Sequence, residues 1–556
     1  MSAVFMALCV LLAVYLGFYS HNILQVVSGF LLEPETSDDP VVNTKCGQVR
    51  GINNNGISVF KGIPYALPPT GPRRWRPPVP RSQDANTCWE GVYNATEFSS
   101  YCWQPKLGNF HEYAGSEDCL YVNVWTPTLE KTANLPVMVW IHGGFLLFLS
   151  GSWPWYSPSV NLTRSTNVVY VSMNYRLNAM GFMALDILSA ESSSRSSGNY
   201  GFRDQILALE WVRDNIIQFG GDPKQVTVFG QSSGGTSIFA LLASPMAKGL
   251  FQKAWLLSAS PILNKTLSDA SRDNLAFLRK TGCSDTACLR AMSPRAVLGA
   301  VPWYEYPFWA MEDQGDLPVK NVFDGAVAVV DGVVLPKAPF DAWKAGEGVD
   351  VPTIIGTTAQ ELDFLPTPPD LKSWTWDDYT NHVHKRLDTF GEDVSTRALA
   401  MYPPSANYTP EFAFTSLGSD LRVTCPNDVM TARAAESFKS NVWRYVVTSQ
   451  PSKPVNAIGV PFASKYAFHM WDYIAFSGVI PHYIEKPSAS DEAFKQTITQ
   501  EMLNFVRTGS VKTSSWKPYP SSVAILNTST EVSTGFNSEF CDYWFKNNFF
   551  SYAWIN

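Results

Sequence analysis

A serine flanked by glycines directly after a buried strand constrains this chain more than any other feature. Residues 226–229 form an apolar, β-branched run, and Gly230-Gln231-Ser232-Ser233-Gly234 follows it without a break. In such a pattern the chain turns sharply from strand to helix, and the small glycines let the two elements pack closely. The serine hydroxyl then projects from the tip of the turn. Ser232 is therefore predicted to be a nucleophile, provided that a base and an acid lie beside it.

Strand-like and helix-like segments alternate along the chain. A helix is predicted over 204–219, where the apolar residues keep helical spacing and two glycines follow. Buried strands are predicted at residues 136–141, 168–172, 225–229, 351–355 and 442–447. This alternation predicts an α/β fold, with a mostly parallel central sheet and helices on both faces. Sites in such folds form beyond the carboxyl ends of the strands, where Ser232 lies.

Two long segments, 296–345 and 364–410, are rich in proline and aromatic residues. We interpret them either as a cap or lid that lines a cleft or as irregular surface packing, and the pattern does not separate these alternatives. Their aromatic residues include Trp303, Tyr304, Tyr306, Phe308, Trp309, Trp374 and Trp376.

The histidine that would activate Ser232 is predicted from chain order. When a serine opens a helix in this way, the acid and then the histidine follow it along the chain. His382 and His384 lie in a polar, helix-like run and are interpreted as surface residues. His469 lies in an apolar stretch that could place an imidazole in a cleft, so it is favoured as the base. His482, in a loop after a proline, remains the alternative.

The acid and the oxyanion donors follow predicted strands. In the loop after the strand at 351–355, Glu361 is the first candidate for the acid and Asp363 the second. The segment His142-Gly143-Gly144-Phe145 follows the strand that ends at Ile141, as glycine-rich oxyanion loops do. The backbone N–H groups expected to converge on one substrate oxygen are those of Gly144, Phe145 and Ser233.

With these residues in place, the chain resembles the type-B carboxylesterases, the cholinesterase/lipase family of the α/β-hydrolase superfamily. The resemblance covers nearly all of residues 40–545, and its further matching stretches are residues 60–66, 116–124, 198–205 and 356–361. It implies an α/β-hydrolase fold in a single domain over 37–556. It also implies a triad of Ser232, Glu361 and His469 that acts on small-molecule or lipid esters without a metal or an organic cofactor.

Cysteines and glycosylation sequons indicate export. Eight cysteines follow the first one at position 9, and an even number suits a disulfide framework. The family resemblance implies the disulfides Cys102–Cys119, Cys283–Cys288 and Cys425–Cys541, which leaves Cys46 and Cys88 as a fourth pair. The sequons lie at Asn94, Asn161, Asn264, Asn407 and Asn527.

The first 36 residues are predicted to be a signal peptide or a membrane anchor. Residues 3–18 form one apolar stretch whose length suits a secretory signal, but no clear cleavage motif follows, and residues 23–32 extend the apolar character. We therefore expect a secreted protein, or alternatively one anchored to a membrane by this segment. The net charge of -7 and the pI of about 5.6 argue against a nucleic-acid partner.

Four positions depart from the family pattern. Gln231 and Ser233 stand where the family usually has Glu and Ala, and Gln231 removes a charge while keeping the shape. Phe145 replaces the third glycine of the oxyanion loop, which restricts the backbone and adds bulk beside the acyl site. Met470 replaces the small residue that usually follows the histidine.

The sequence thus predicts a serine carboxylic-ester hydrolase that works through an acyl-enzyme. Two alternatives remain: a catalytically weak or inactive binding protein on the same scaffold, and an acyltransferase that uses the same triad. The ester is not specified, although no clear equivalent of the choline-binding tryptophan precedes Cys119.

Overall fold

An 11-stranded β-sheet forms the centre of the protein. This computed structural model describes residues 39–107, 109–301, 314–321, 327–366 and 368–555. The strands of the central sheet and of two smaller sheets are, in chain order, β1 Val41–Thr44, β2 Gly47–Arg50, β3 Ile52–Asn54, β4 Ile57–Pro64, β5 Val92–Asn94, β6 Gln104–Lys106, β7 Asn109–Ala114, β8 Tyr121–Thr126, β9 Leu135–Ile141, β10 Val169–Met173, β11 Gly221–Gln231, β12 Lys253–Leu257, β13 Thr353–Thr358, β14 Val442–Val447, β15 Val523–Leu526 and β16 Thr530–Ser533.

The middle of the central sheet is parallel and its edges are antiparallel. The spatial order is β16-β15-β14-β13-β12-β11-β9-β10-β8-β4-β3, and every neighbouring pair from β15 to β10 is parallel. The outer strands β16, β8, β4 and β3 pair antiparallel. The predicted fold class is therefore confirmed, with antiparallel strands added at both edges.

The central strands are buried along almost their whole length. Residues 137–141 of β9 and 226–231 of β11 have almost no exposed surface. Strands covered by helices on both faces carry continuous apolar runs, and this is why the sequence pattern located them. Strand β11 nevertheless begins four residues before the predicted start at 225. Its first residues are polar. Gly221 pairs with Leu135, and the register shifts between Gly221 and Val226.

Helices connect and cover the strands. The helix predicted over 204–219 is Tyr200–Asn215 followed by a short 3₁₀ turn, and Gly220 ends it with a left-handed backbone. The other α-helices span Val160–Thr166, Asn178–Phe182, Asp186–Glu191, Ser233–Ala243, Leu267–Asp273, Leu275–Thr281, Thr286–Ala291, Pro294–Ala300, Pro339–Lys344, Trp376–Leu387, Glu392–Met401, Pro410–Ser419, Cys425–Ser437, Trp471–Phe476, Ile480–Tyr483, Ala489–Thr508 and Ser538–Lys546. A π-helical turn, Asp420–Thr424, joins two of them.

Of the two aromatic-rich segments, the structure describes most of 364–410 and only part of 296–345. Trp374 packs edge-on against Phe414 and Trp376 against Tyr379, within a helical layer that has its own apolar core. Trp376 therefore begins the helix Trp376–Leu387 and Trp374 lies just before it, both packed against this layer. Phe364, at the start of the same segment, lines the cleft. The structure does not describe residues 302–313 and 322–326, among which lie Trp303, Tyr304, Tyr306, Phe308 and Trp309.

Four disulfides cross-link the described residues. They join Cys46 to Cys88, Cys102 to Cys119, Cys283 to Cys288 and Cys425 to Cys541. The last of these ties the helix Cys425–Ser437 to the helix Ser538–Lys546, across 116 residues of chain. A covalent link over so long a loop removes much of the conformational freedom of the unfolded chain.

The sequon asparagines lie at the surface of the unit that spans Val41–Asn556. Asn94, Asn161, Asn264 and Asn407 are exposed, and Asn527 is half-buried. Within the part of the chain that the structure describes, no helix is both long and apolar enough to cross a bilayer. The predicted leader, residues 1–36, lies outside the described residues.

Candidate active site

Ser232 occupies a strained turn between β11 and the helix Ser233–Ala243. Its φ of 60° and ψ of -128° lie in a region that side chains rarely adopt and that costs about 1–3 kcal/mol. Two backbone hydrogen bonds hold the turn: the Ser232 N–H donates to the carbonyl of Leu257 at 2.8 Å, and the Ser232 carbonyl accepts from the N–H of Thr236 at 3.0 Å. Ser232 is buried, with 4% of its surface exposed.

The glycines on either side of the turn are required by close backbone packing. A Cβ added at Gly234 would lie 2.0 Å from the carbonyl oxygen of Ile141, the last residue of β9. A Cβ at Gly230 would lie 2.6 Å from the backbone of Gly234 itself. Larger residues would force strand and helix apart, so the pattern seen in the sequence has a steric cause.

His469 forms a short hydrogen bond with the buried carboxylate of Glu361. The His469 Nδ1 and the Glu361 Oε2 are 2.5 Å apart. The other carboxylate oxygen, Oε1, accepts from the Ser258 hydroxyl at 2.6 Å and from the Thr358 N–H at 2.7 Å. A carboxylate held in this way fixes the proton on Nδ1 and makes Nε2 the ring nitrogen that carries no proton.

The loop that carries His469 is held by two aromatic rings and by the loop of Glu361. The ring centroids of Phe364 and Trp554 lie 5.5 Å and 5.0 Å from that of the imidazole. The backbone N–H of Gln360 donates to the carbonyl of Ala467 at 2.9 Å, which joins the two loops directly.

Met470 adopts a backbone conformation that favours glycine. Its φ is 72°, in the left-handed region, and the helix Trp471–Phe476 begins immediately after it. A small residue is usual in the family at this position, and the positive φ supplies the physical reason. Met470 keeps the turn because its side chain is buried in the core.

Asp363, the second candidate for the acid, binds backbone rather than an imidazole. Its Oδ2 accepts hydrogen bonds from the N–H groups of Lys465 and Tyr466, both at 2.7 Å. Burial is the main cause that raises the pKa of Asp363 to about 7. Asp363 therefore anchors the segment that leads to His469, while Glu361 contacts the ring.

The other candidate histidines lie elsewhere. His482 is exposed and stacks on the exposed ring of Trp155 at 3.8 Å between centroids. His382 contacts the carboxylate of Asp316 at 2.7 Å, and His384, half-buried in the same helix, contacts Asp388 at 3.2 Å. The structure thus brings His469, and none of these three, to the cavity that Ser232 lines.

The segment after β9 forms a loop with an unusual run of left-handed residues. Gly144, Phe145 and Leu146 have φ values of 108°, 57° and 58°. The Gly144 carbonyl accepts from the N–H groups of Leu147 and Phe148, which curls the loop into a tight turn. Among the described residues, no acceptor binds the N–H groups of Gly144, Phe145 or Ser233.

The hydroxyl of Ser233 attaches this loop to the helix Ser233–Ala243. Its Oγ accepts a hydrogen bond from the Leu146 N–H at 3.1 Å. The sequence indicated only a backbone contribution from Ser233, and an alanine could not make this contact. The departure from the family pattern at 233 therefore has a structural role beside the equally unusual Phe145.

Tyr156 is a further residue of the site, and no sequence motif indicated it. Its hydroxyl accepts from the Gly143 N–H at 3.2 Å and donates to the Gln231 Oε1 at 2.5 Å. The Gln231 Nε2 lies 2.8 Å from the His469 Nε2. Burial raises the pKa of Tyr156 well above its ordinary value, so its hydroxyl stays protonated.

Ser232 and His469 line a cavity of about 250 Å³. Apolar side chains form most of its wall, and the described lining residues include no Asp, Glu, Lys or Arg. The bulkiest contributors are Phe145, Phe148, Phe364, Leu365, Ile458 and Met470. Such a wall suits an uncharged ligand with an apolar group.

The α/β-hydrolases are defined by a serine at a strained strand–helix turn. The serine lies at the carboxyl edge of a mostly parallel sheet, beside a buried histidine–carboxylate pair. The model of the carboxylesterase family matches residues 38–544. The chain therefore belongs to the carboxylesterase family.

Individual relatives agree with this membership. The chain is 34% identical over 498 residues to the para-nitrobenzyl esterase of Bacillus subtilis (strain 168), which covers 86% of this chain and 92% of that protein. It is 35% identical over 355 residues to the acetylcholinesterase of Electrophorus electricus, covering 60% of this chain and 53% of that protein. A solved structure of PNB esterase matches with a TM-score of 0.70 at 32% identity, covering 91% of this chain and 99% of that one.

The buried carboxyl of Asp363 predicts a specific dependence of stability on pH. Its pKa is raised from 3.8 to about 7, so between these values the folded state binds more protons than the unfolded state. Asp363 then makes the free energy of unfolding fall with rising pH, by on the order of 1 kcal/mol per pH unit. Asp363→Asn keeps the acceptor for Lys465 and Tyr466 but cannot ionise. The melting temperature of the variant is expected to exceed that of the wild type by a margin that grows as the pH rises across this range. Parallel melting curves for the two proteins would contradict this prediction.

Proposed function

We propose that the protein hydrolyses carboxylic esters through an acyl-enzyme formed on Ser232, with His469 as general base and Glu361 as the acid that orients it. One observation carries this proposal: the 2.5 Å contact between Glu361 and His469, at the wall of the cavity that Ser232 also lines. Membership of the carboxylesterase family supports the reaction class.

The steps follow from the placement of these groups. The Ser232 Oγ bonds to the ester carbonyl carbon while its proton passes to the His469 Nε2. The carbon–oxygen bond to the alcohol then breaks, and the imidazolium returns the proton to the departing alkoxide. Water repeats the sequence on the acyl-enzyme and releases the carboxylic acid. Throughout, Glu361 keeps the proton on Nδ1 and stabilises the cationic ring.

The oxyanion formed in each step needs donors that are already in place. The N–H groups of Gly144, Phe145 and Ser233 are free to serve, since no acceptor within the described chain binds them. Each such donor contributes about 2.7–4 kcal/mol to transition-state stabilisation in a serine hydrolase. Their loop is held by the Leu146 to Ser233 hydrogen bond, so the donors require little rearrangement.

The apolar composition of the cavity wall indicates which class of ester the site would bind. An apolar wall with no carboxylate among its described residues favours an uncharged alkyl or aryl ester over a cationic one. Similarity to a para-nitrobenzyl esterase supports the same class.

Replacing Ser232 by Ala is expected to lower kcat on a short p-nitrophenyl ester by at least about 10³-fold, because the nucleophile is removed. Ser244→Ala is the matched control. Its hydroxyl is buried without a partner among the described residues, so hydrolysis should persist. Initial rates and labelling of Ser232 by an organophosphonate give the measurement. A correctly folded wild-type protein that neither turns over esters nor is labelled would refute the proposal and would favour a binding protein.

Phe145 is expected to limit the length of the acyl group. Phe145→Gly removes a ring from the cavity wall and relieves the positive φ, while the backbone N–H stays in place. The ratio of kcat/KM for long over short acyl esters should rise by about tenfold or more, as measured on a chain-length series. Phe145→Ala should give an intermediate ratio. A uniform loss of about 10²-fold on every ester would instead mean that the ring holds the oxyanion loop in place.

We further propose that the chain enters the secretory pathway. Its four disulfides suit an oxidising compartment, and four of the five sequon asparagines are exposed. Expression in a secreting eukaryotic host should yield glycans on Asn94, Asn161, Asn264 and Asn407. Asn527 should be modified least because it is half-buried. Peptide mapping after N-glycosidase treatment measures the occupancy. A chain retained in the cytosol without glycans would contradict this proposal.

A further inference from the structure

The side-chain amide of Gln231 bridges a buried tyrosine and the imidazole of His469. The Gln231 Oε1 accepts from the Tyr156 hydroxyl at 2.5 Å, and the Gln231 Nε2 lies 2.8 Å from the His469 Nε2. Gln231 and Tyr156 are each only 1% exposed. The contact is therefore built into the interior and is not a chance surface encounter.

The donor and the acceptor of each hydrogen bond between Gly143 and Glu361 follow from the groups at the two ends of this series. The Tyr156 hydroxyl accepts from the Gly143 N–H, so its own proton points to the Gln231 Oε1. The Gln231 amide must then present its NH₂ group to His469. On the far side of the ring, Nδ1 donates to Glu361, which makes Nε2 the acceptor. Gln231 thus donates to the one ring nitrogen that carries a lone pair.

This arrangement favours the neutral imidazole over the imidazolium. In the proposed mechanism, Nε2 receives the proton of Ser232 and becomes an N–H donor. An NH₂ group cannot accept from that donor, and the Gln231 Oε1, which could, is held by Tyr156. A carboxylate at position 231 would act in the opposite sense, because a negative charge within hydrogen-bond reach stabilises the imidazolium.

The other groups that face the imidazole do not depend on Gln231. The carboxylate of Glu361 contacts Nδ1, and the carboxyl of Asp472 acts on the ring through its charge. Burial is the main cause that raises the pKa of Asp472 to about 6, and its Oδ2 accepts from the Tyr445 hydroxyl. The rings of Phe364 and Trp554 cover the remaining sides. All four are common to the wild type and to variants at 231.

We propose that Gln231 is a positioning residue that, with its amide oriented by Tyr156, holds His469 neutral and extends ester hydrolysis to lower pH. This inference rests on the proposed function. It predicts where the acidic limb of the pH–rate profile falls, a property that a purely structural glutamine would leave unchanged.

The test compares kcat/KM on a neutral ester from about pH 4 to about pH 9 in wild type and two variants. In Gln231→Glu, the midpoint of the acidic limb should rise by about one to two pH units. In Tyr156→Phe, the amide is free to turn its Oε1 toward the ring, so the midpoint should rise by a smaller amount. Tyr473→Phe is the matched control. Tyr473 packs against Tyr156, and its hydroxyl has no partner among the described residues, so its removal should leave the midpoint unchanged.

The outcomes separate this inference from the proposed function. Acidic limbs that coincide in wild type and Gln231→Glu, in proteins that both hydrolyse esters through Ser232, would overturn the inference alone. If Gln231→Glu does not fold, Tyr156→Phe decides, and an unchanged midpoint there has the same meaning. If wild type does not hydrolyse esters, the proposed function fails. The pH titration of the His469 Nδ1–H proton resonance in wild type and variants then still decides whether Gln231 favours the neutral ring.

Discussion

The backbone of Ser232, held at a φ of 60° between β11 and its helix, is the constraint on which the rest of the site depends. Hydrogen-bonded pairing between neighbouring parallel strands holds the turn in this conformation. In the sheet ladder, Ile141 pairs with Gly230, Gln231 with Leu257, and Leu257 with Gly356. The residues that leave β9, β11 and β12 therefore start from one level of the sheet edge. The oxyanion loop, Ser232 and the Ser258 that supports Glu361 converge there for that reason.

A single line of hydrogen bonds runs through this edge. It begins at the Gly143 N–H and passes through Tyr156, Gln231, His469 and Glu361. Each member is buried, so each bond forms in a medium of low polarity where an unpaired group would be costly. The direction of donation at one end therefore determines the direction at the other. The tautomer of His469 is a property of the whole line rather than of the imidazole alone.

The site also concentrates backbone strain. Phe145, Leu146, Ser232 and Met470 all have positive φ values, although none is glycine. Each would cost the fold on the order of 1 kcal/mol or more if it stood alone. Buried packing and specific contacts such as the Leu146 to Ser233 hydrogen bond hold these turns. Strain retained in this way keeps the oxyanion loop and the turn at Ser232 in one arrangement before a substrate binds.

Local patterns in the sequence were sufficient for much of the fold and for the order of the site residues. Buried parallel strands carry uninterrupted apolar runs, so the ends of β9, β10, β13 and β14 were predicted within three residues. The polar first residues of β11 were not predicted. The strand, the glycines and Ser232 form one short motif, and Glu361 and His469 follow it in a fixed order. Chain order alone did not separate Glu361 from Asp363, because both follow the same strand. The family resemblance favoured Glu361, and the structure shows its carboxylate in contact with His469.

By itself, the sequence determined five strands of the parallel centre of the sheet, the sharp turn at Ser232 and the chain order of its partners, because each depends on neighbouring residues. Only the tertiary structure decided that the amide of Gln231 faces His469, that Tyr156 orients it, and that Trp554 covers the imidazole. These contacts join residues 75, 238 and 85 positions apart. They arise from the register of parallel strands and the packing of distant loops, which no local pattern records.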